Sequence, residues 1–186
     1  MLADVIKEQT TAHHQGLEKK IISRLKSLSS AEDYINLLQL FYSYFGGLED
    51  QINHQIDQSV LPDYEERRKT SSLSNDIQAL GGNPASKAVN GALPEITTIP
   101  QAVGALYVIE GSTLGGSIIS KMVSDRLGLQ DGLSFFNSYG SKATEMWERF
   151  KTYINTQAWQ PAEEQAIIAS AQNTFLKFNN WIEQHG

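Results

Sequence analysis

The sequence predicts an all-α protein with a single domain spanning residues 1–186. Apolar residues recur every three or four positions in several long segments, which is the spacing of one buried helix face. No segment alternates between apolar and polar residues for long enough to indicate a β-strand. The chain contains no repeat and no low-complexity linker, and 186 residues can bury a sizeable core.

The helices can be placed in order from their apolar spacing and their end signals. In chain order they are predicted to cover residues 2–28, 29–56, 65–80, 100–128, 141–157 and 161–184. Ser29 and Glu32 have the spacing of a capping box and should begin the second helix. The pair Gly81-Gly82 should end the third helix. Asn-Pro, Asn-Gly and Leu-Pro steps indicate a loop over residues 83–98, and residues 129–140 are irregular.

Composition excludes several classes of function. The chain has no cysteine, so disulfides, iron–sulfur clusters and thiolate metal ligands are ruled out. Its formal net charge of -6 argues against general nucleic-acid binding. Neither a signal peptide nor an apolar run of about 20 residues is visible, so we expect a cytoplasmic protein that does not enter a membrane.

The segment around residues 105–122 combines a helical apolar pattern with Gly111, Gly115 and Gly116. Each glycine in a helix interior costs about 1 kcal/mol relative to alanine, so three of them require an explanation. One explanation is close helix packing at Gly111 and Gly115, which lie one turn apart. The other is a flat ligand lying against bare backbone where the helix bends. A phosphate loop is disfavoured because no lysine follows Gly116.

The first predicted helix carries two histidines, His13 and His14, either of which could bind a metal as neutral imidazole. The position of Leu17 at the centre of the apolar stripe slightly favours His13. Glu18 favours His14, because it lies one turn further on and could accept the second ring N–H. Lys7 lies two turns before His14, roughly 10 Å along the helix axis. For an arbitrary pair of this kind, solvated or half-buried polar residues are the commoner outcome.

Two motifs carry a resemblance to a known family. The stretch Tyr107-Val-Ile-Glu-Gly-Ser-Thr-Leu-Gly-Gly116 resembles the distal-helix signature of bacterial heme oxygenases, in which a glycine-rich helix lies over the oxygen-binding face of heme. The stretch Lys7-Glu-Gln-Thr-Thr-Ala-His-His-Gln-Gly-Leu-Glu18 resembles the proximal-helix motif of the same family. The two motifs occur in the family's order, about ninety residues apart. Together with the C-terminal helix they cover most of the chain.

The resemblance implies an all-α heme oxygenase-like fold and a role for individual residues. It places the iron ligand at His14, the carboxylate partner of that histidine at Glu18, and a propionate contact at Lys7. It also implies a propionate contact at Lys151, with Arg149 as the weaker choice, and an aromatic contact at Phe175. The residues expected at the oxygen-binding side are Gly111, Ser112, Gly115 and Gly116.

Three further features allow two interpretations each. Tyr107 is either a hydrogen-bond donor to a propionate or distal water, or a core tyrosine. Phe45 is either a distal wall or plain core. The basic run Arg67-Arg68-Lys69 is expected to be mainly a solvated helix face, with a docking surface for an acidic electron-transfer protein as the alternative.

The resemblance implies a reaction in which heme is both substrate and cofactor. O2 and electrons from a soluble donor, such as a ferredoxin or flavodoxin with its reductase, would open the ring to biliverdin, carbon monoxide and ferrous iron. Mammalian relatives have an aspartate where this chain has Ser112, which leaves the organisation of the distal water network open. The alternatives are a non-catalytic heme carrier or sensor, and another enzyme of the same helical architecture that does not bind heme.

Overall fold

The computed structural model describes residues 1–186 and contains eight α-helices and no strand. These are α1 (Leu2–Ser27), α2 (Ala31–Asn53), α3 (Ser71–Ala79), α4 (Ile99–Gly111), α5 (Gly116–Leu127), α6 (Ser134–Asn137), α7 (Ala143–Thr156) and α8 (Pro161–His185). Short 3-10 turns lie at Tyr64–Glu66, Asn90–Ala92, Ser112–Gly115 and Gly140–Lys142. The all-α prediction is confirmed.

Helix α4 is the central element of the fold, since every residue from Ala102 to Glu110 is buried. It packs closely against α8. At the crossing, the Ser170 hydroxyl donates to the Gln101 carbonyl at 2.6 Å. A side chain at Gly104 would clash with the carbonyl oxygen of Ile167, so glycine there permits the close approach.

The run Ile99–Leu127 is, by length and composition alone, apolar enough to cross a membrane. That differs from the expectation drawn from the sequence. However, 61% of the most apolar stretch of this run is buried inside the fold. The apolar side chains therefore serve the protein core.

Helix α8 also packs against α1, and contacts along the two helices rise together in residue number, so the pair runs in parallel. The Gln172 amide donates to the Gln9 carbonyl at 3.1 Å, and further along Lys20 pairs with Glu183. On the other side of α8, Phe178 packs on Phe45 with ring centroids 4.7 Å apart. Phe45 is only 2% exposed and lies in this aromatic core.

For two helices, the first residue was predicted at the wrong position. Ser30, in extended conformation, caps α2 in place of Ser29, and Asp33 completes the box in place of Glu32. The motif occurs twice, shifted by one residue, and only the helix register selects between the copies. The third helix begins at Ser71 rather than at residue 65, because Arg67 is extended and its side chain is drawn into the core.

Candidate active site

The predicted glycine-bearing helix is broken into α4 and α5 by the 3-10 turn Ser112–Gly115. Two hydroxyl side chains make the break. Ser112 Oγ donates to the Ile109 carbonyl at 2.6 Å, and Thr113 Oγ1 donates to the Glu110 carbonyl at 2.7 Å. Serine and threonine side chains compete in this way with backbone hydrogen bonds and favour a bend. The Ser-Thr pair, as well as the glycines, therefore determines where the helix ends.

The three glycines of this segment have different surroundings. A Cβ at Gly116 would lie 2.0 Å from the carbonyl oxygen of Phe136, so this glycine permits close backbone packing. A Cβ at Gly111 would lie 3.6 Å from the Trp147 ring, an ordinary contact. A Cβ at Gly115 would meet no neighbouring element within 4 Å, so this side of its backbone faces open space. Close packing thus explains Gly116, whereas Gly115 is free to meet a ligand.

A stability comparison separates these two kinds of glycine. We expect Gly116→Ala to lower the free energy of unfolding by about 3 kcal/mol, since the new methyl group meets backbone that cannot rotate away. We expect Gly115→Ala to leave it unchanged or to raise it by up to about 1 kcal/mol, because alanine favours helix. Urea unfolding of both variants measures the difference, and equal losses in the two would contradict this assignment.

Helix α1 carries a long exposed stretch in its interior. Residues 11–16 are all exposed, although six consecutive helical positions point in every direction around the axis. The rest of the chain therefore covers α1 only in part there, with Phe175 of α8 beside His14. On α5 and the turn before it, the large apolar side chains of Leu114 and Ile118 are 44% and 66% exposed. These two side chains leave apolar surface exposed on either side of Gly115.

His14 lies in the exposed stretch of α1, and its ring meets the edge of Phe175 on α8, with centroids 5.9 Å apart. Phe175 itself is buried. Glu18 is exposed one turn further along, and no hydrogen bond joins it to His14 in this structure. The contact with Phe175 therefore orients the His14 ring, and no hydrogen bond within the chain occupies the ring nitrogens.

The Tyr107 side chain extends from α4 to the start of α1. Burial first, and then Asp4, raise the pKa of Tyr107 to about 12, so its hydroxyl stays protonated. That hydroxyl donates a long 3.5 Å bond to the Ala3 carbonyl, and its ring packs on Trp147 at 5.0 Å. Of the two interpretations drawn from the sequence, these contacts favour the core tyrosine, which positions α1.

The basic side chains on α7 and α1 that were predicted to contact propionates differ in how strongly carboxylates of the chain already pair with them. Arg149 pairs with Asp63 at 3.2 Å and with Glu66 at 3.3 Å. Lys151 pairs only with Glu148, on its own helix, at 2.8 Å. Lys7 is exposed and lies one turn from Ala3, whose backbone N–H donates to Asn155 Oδ1 one turn beyond Lys151. Both lysines thus lie one turn from the junction of α1 with α7.

The basic run 67–69 is not the solvated helix face that the sequence suggested. Arg67 is 2% exposed and forms a two-pronged pair with Asp63, at 2.7 and 3.0 Å, and an ion pair with Glu110 at 2.6 Å. Lys69 lies over the Tyr64 ring at 3.4 Å. These basic side chains make their contacts within the protein. They therefore do not support a docking surface made of these three residues.

Two signals in the sequence could have revealed this buried cluster. Asp63 and Arg67 have the i, i+4 spacing of a paired acid and base. Glu110 is a lone carboxylate in an otherwise apolar run of nine buried residues, and a buried carboxylate requires a partner. What the sequence could not supply was the pairing of residue 67 with residue 110.

A cavity of about 640 Å³ lies elsewhere, between the ends of α1, α2 and α8. None of the predicted site residues lines it. His14 and Gly115 are themselves exposed.

The chain is similar to known proteins over nearly its whole length. The model of the heme oxygenase family matches residues 1–184. A heme oxygenase of Xanthomonas campestris pv. campestris is 31% identical over 155 residues, which cover 82% of this chain and 90% of that protein.

Solved structures agree on the fold. The NO- and CO-bound heme oxygenase of Neisseria meningitidis superposes with a TM-score of 0.82 at 22% identity, covering 100% of this chain and 92% of that one. The heme complex of heme oxygenase-1 from the cyanobacterium Synechocystis superposes with a TM-score of 0.77 at 19% identity, covering 98% and 91%. With its broken glycine-bearing helix and its match to the family from end to end, this chain belongs to the heme oxygenase family of enzymes.

Proposed function

We propose that the protein binds heme in the groove between α1 and α5 and opens it to biliverdin, carbon monoxide and ferrous iron. The observation that carries the proposal is the exposed stretch at residues 11–16, together with the open backbone at Gly115. Helices α1 and α5 are in contact, which supports the inference that these two surfaces border one groove. The heme complex of the Synechocystis relative supports the choice of ligand.

The side chains present fit a porphyrin better than a bare metal ion. No group of three or more histidine, aspartate or glutamate residues lies close enough together to hold a metal. A single histidine suffices when the other ligands come from the porphyrin nitrogens. Leu114 and Ile118 would cover apolar parts of the macrocycle, and burying their exposed side chains is favourable.

Each predicted residue then has a defined task. His14 binds the iron through a neutral imidazole nitrogen, and Phe175 fixes the direction of its ring. Glu18 accepts the other ring N–H once the groove is filled, which makes the imidazole more basic. The ammonium groups of Lys7 and Lys151 hold propionates, and Lys151 exchanges Glu148 for its new partner.

On the opposite side of the groove, the chain sets the space above the iron. The bare backbone of Gly115 would let the helix approach the ring closely and limit where a small ligand can lie. Ser112 lies within this segment, while Gly116 anchors it to Phe136. Heme supplies the iron that binds and activates O2, and the protein supplies orientation and exclusion of bulk water.

The reaction requires O2 and reducing equivalents, and we propose a soluble ferredoxin- or flavodoxin-like donor in the cytoplasm. The burial of the apolar α4–α5 run inside the fold supports a role for it in the protein core rather than in a membrane. Nucleic acid and membrane are not expected partners of a chain with net charge -6.

Addition of hemin to the purified protein tests the proposal. We expect a histidine-type visible spectrum which, on adding a reductant in the presence of catalase, decays into the broad band of biliverdin. Stable binding without decay would instead identify a heme carrier or sensor. Failure to bind would exclude heme as the substrate.

A further inference from the structure

Arg68 forms a long-range side-chain link to the last turn of α4 and to the turn that follows it. Its Nη2 atom donates to the Ile109 carbonyl at 2.9 Å and to Ser112 Oγ at 2.7 Å. Its Nη1 atom donates to the Phe135 carbonyl at 3.3 Å, and the guanidinium lies over the Phe135 ring at 3.9 Å. A cation at a helix C-terminus caps the last carbonyls and is attracted by the helix dipole.

The link fixes the direction of the Ser112 hydroxyl. A hydroxyl has one proton and two lone pairs. The proton is donated to the Ile109 carbonyl at 2.6 Å, and one lone pair accepts from Arg68. A single acceptor position remains for any group above the turn, so Ser112 cannot donate a proton there without losing a bond.

Arg68 also brings a positive charge that no carboxylate neutralises directly. The nearby carboxylates of Asp63 and Glu110 pair with Arg67 instead. Its Nε atom is buried without a partner. Burial lowers the pKa of Arg68 to about 10, so the group is still charged at neutral pH.

The backbone of Arg68 is held as firmly as its side chain. Its N–H donates to the Tyr139 hydroxyl at 2.7 Å, and that hydroxyl donates to Glu110 at 3.0 Å. Glu110 is itself fixed by Arg67. The guanidinium is therefore attached to a rigid buried network on one side and to the broken helix on the other.

We propose that Arg68 is a positioning residue for the distal segment Gly111–Gly116: it holds the helix break and Ser112 in place, and it gives the oxygen-binding side of the groove a positive charge. The inference rests on the proposed function in one respect: only heme binding makes that side of the groove the oxygen-binding side. The holding of the turn does not depend on heme.

The first test uses the heme-free protein. Hydrogen exchange of the backbone amides of residues 112–116 should become about tenfold faster or more in Arg68→Met, because a charge-assisted link is lost. Lys69→Met is the matched control, since Lys69 carries the same charge in the same run and contacts Tyr64 instead. Equal exchange in the two variants would overturn the positioning role.

The second test measures the effect of the Arg68 charge in the heme complex. The stretching frequency of CO bound to ferrous heme falls when positive charge is near, so Arg68→Met should raise it and Lys69→Met should not. The rate of heme opening should fall about 10- to 100-fold in Arg68→Met with little change in heme affinity. Arg68→Lys keeps the charge but loses the fork, and it should restore the CO frequency and only part of the rate.

The outcomes separate this inference from the proposed function. A wild-type protein that binds no heme would refute the function, while the exchange measurement would still decide the structural role. A wild-type protein that turns over heme, with Arg68→Met matching it in both CO frequency and rate, would refute the inference alone. If Arg68→Met does not fold, the exchange rates of residues 112–116 in Arg68→Lys decide, because lysine lacks the fork, and rates no faster than those in Lys69→Met would overturn the inference.

Discussion

Replacement of His14 by alanine is expected to abolish histidine ligation of heme and to reduce the rate of heme opening by more than about 100-fold. Loss of a residue that only orients a metal ligand already costs about 10- to 100-fold, so removal of the ligand itself should cost more. The residue is exposed, and its only ring contact is with Phe175, so the fold should survive the change. The visible spectrum of the ferric complex and the rate of Soret decay measure the effect.

His13→Ala is the matched control, because it removes a second exposed histidine from the same turn of α1. It should leave the spectrum and the rate unchanged. Added imidazole should restore the histidine-type spectrum in His14→Ala, since it can enter the space that the side chain leaves. A normal spectrum in His14→Ala, or a lost one in His13→Ala, would move the ligand to another residue.

Arg67→Met should lower the free energy of unfolding by about 4 kcal/mol. Arg67 and Glu110 are each 1% exposed and joined at 2.6 Å, so the variant leaves a buried carboxylate without its cation. Removing one partner of a buried ion pair costs about 3–5 kcal/mol. This is a large share of the total stability of a typical domain, about 5–15 kcal/mol. Urea unfolding followed by circular dichroism measures the loss.

Two comparisons test the cause of that loss. Lys121→Met breaks an ion pair of similar length, 2.8 Å to Asp125, on the exposed side of α5, and it should leave stability unchanged. The double variant Arg67→Met with Glu110→Gln should regain much of the stability, because no unpaired charge is left inside. A loss in Arg67→Met no larger than that in Lys121→Met would show that the pair is not the anchor of this cluster.

The secondary structure could be predicted where local signals act alone. The apolar spacing placed α1, α4, α5, α7 and α8 to within a few residues, and Pro161 marked the start of α8. The errors lie where tertiary contacts override the local pattern. The third helix lost its first six residues because Arg67 enters the core to reach Glu110, which is 43 positions away in the chain.

The sequence predicted which residues form the candidate site, but it did not predict how they are arranged in space. Two motifs pointed to His14 and to the segment Gly111–Gly116, but they could not distinguish the role of Gly115 from that of Gly116. The difference depends on whether another backbone is near, and Phe136 approaches only Gly116. In the same way, only the ion pairs of Arg149 leave Lys151 as the more available cation.

The sequence by itself determined the all-α class, the approximate positions of the helices and the two motifs that resemble a heme oxygenase, because these depend on residues close together in the chain. The tertiary structure alone decided that Arg67 is buried beside Glu110 and that Arg68 binds the end of α4 and Ser112. A buried charge is stable only beside its partner, and the partners here come from segments that are far apart in the sequence but adjacent in the folded protein.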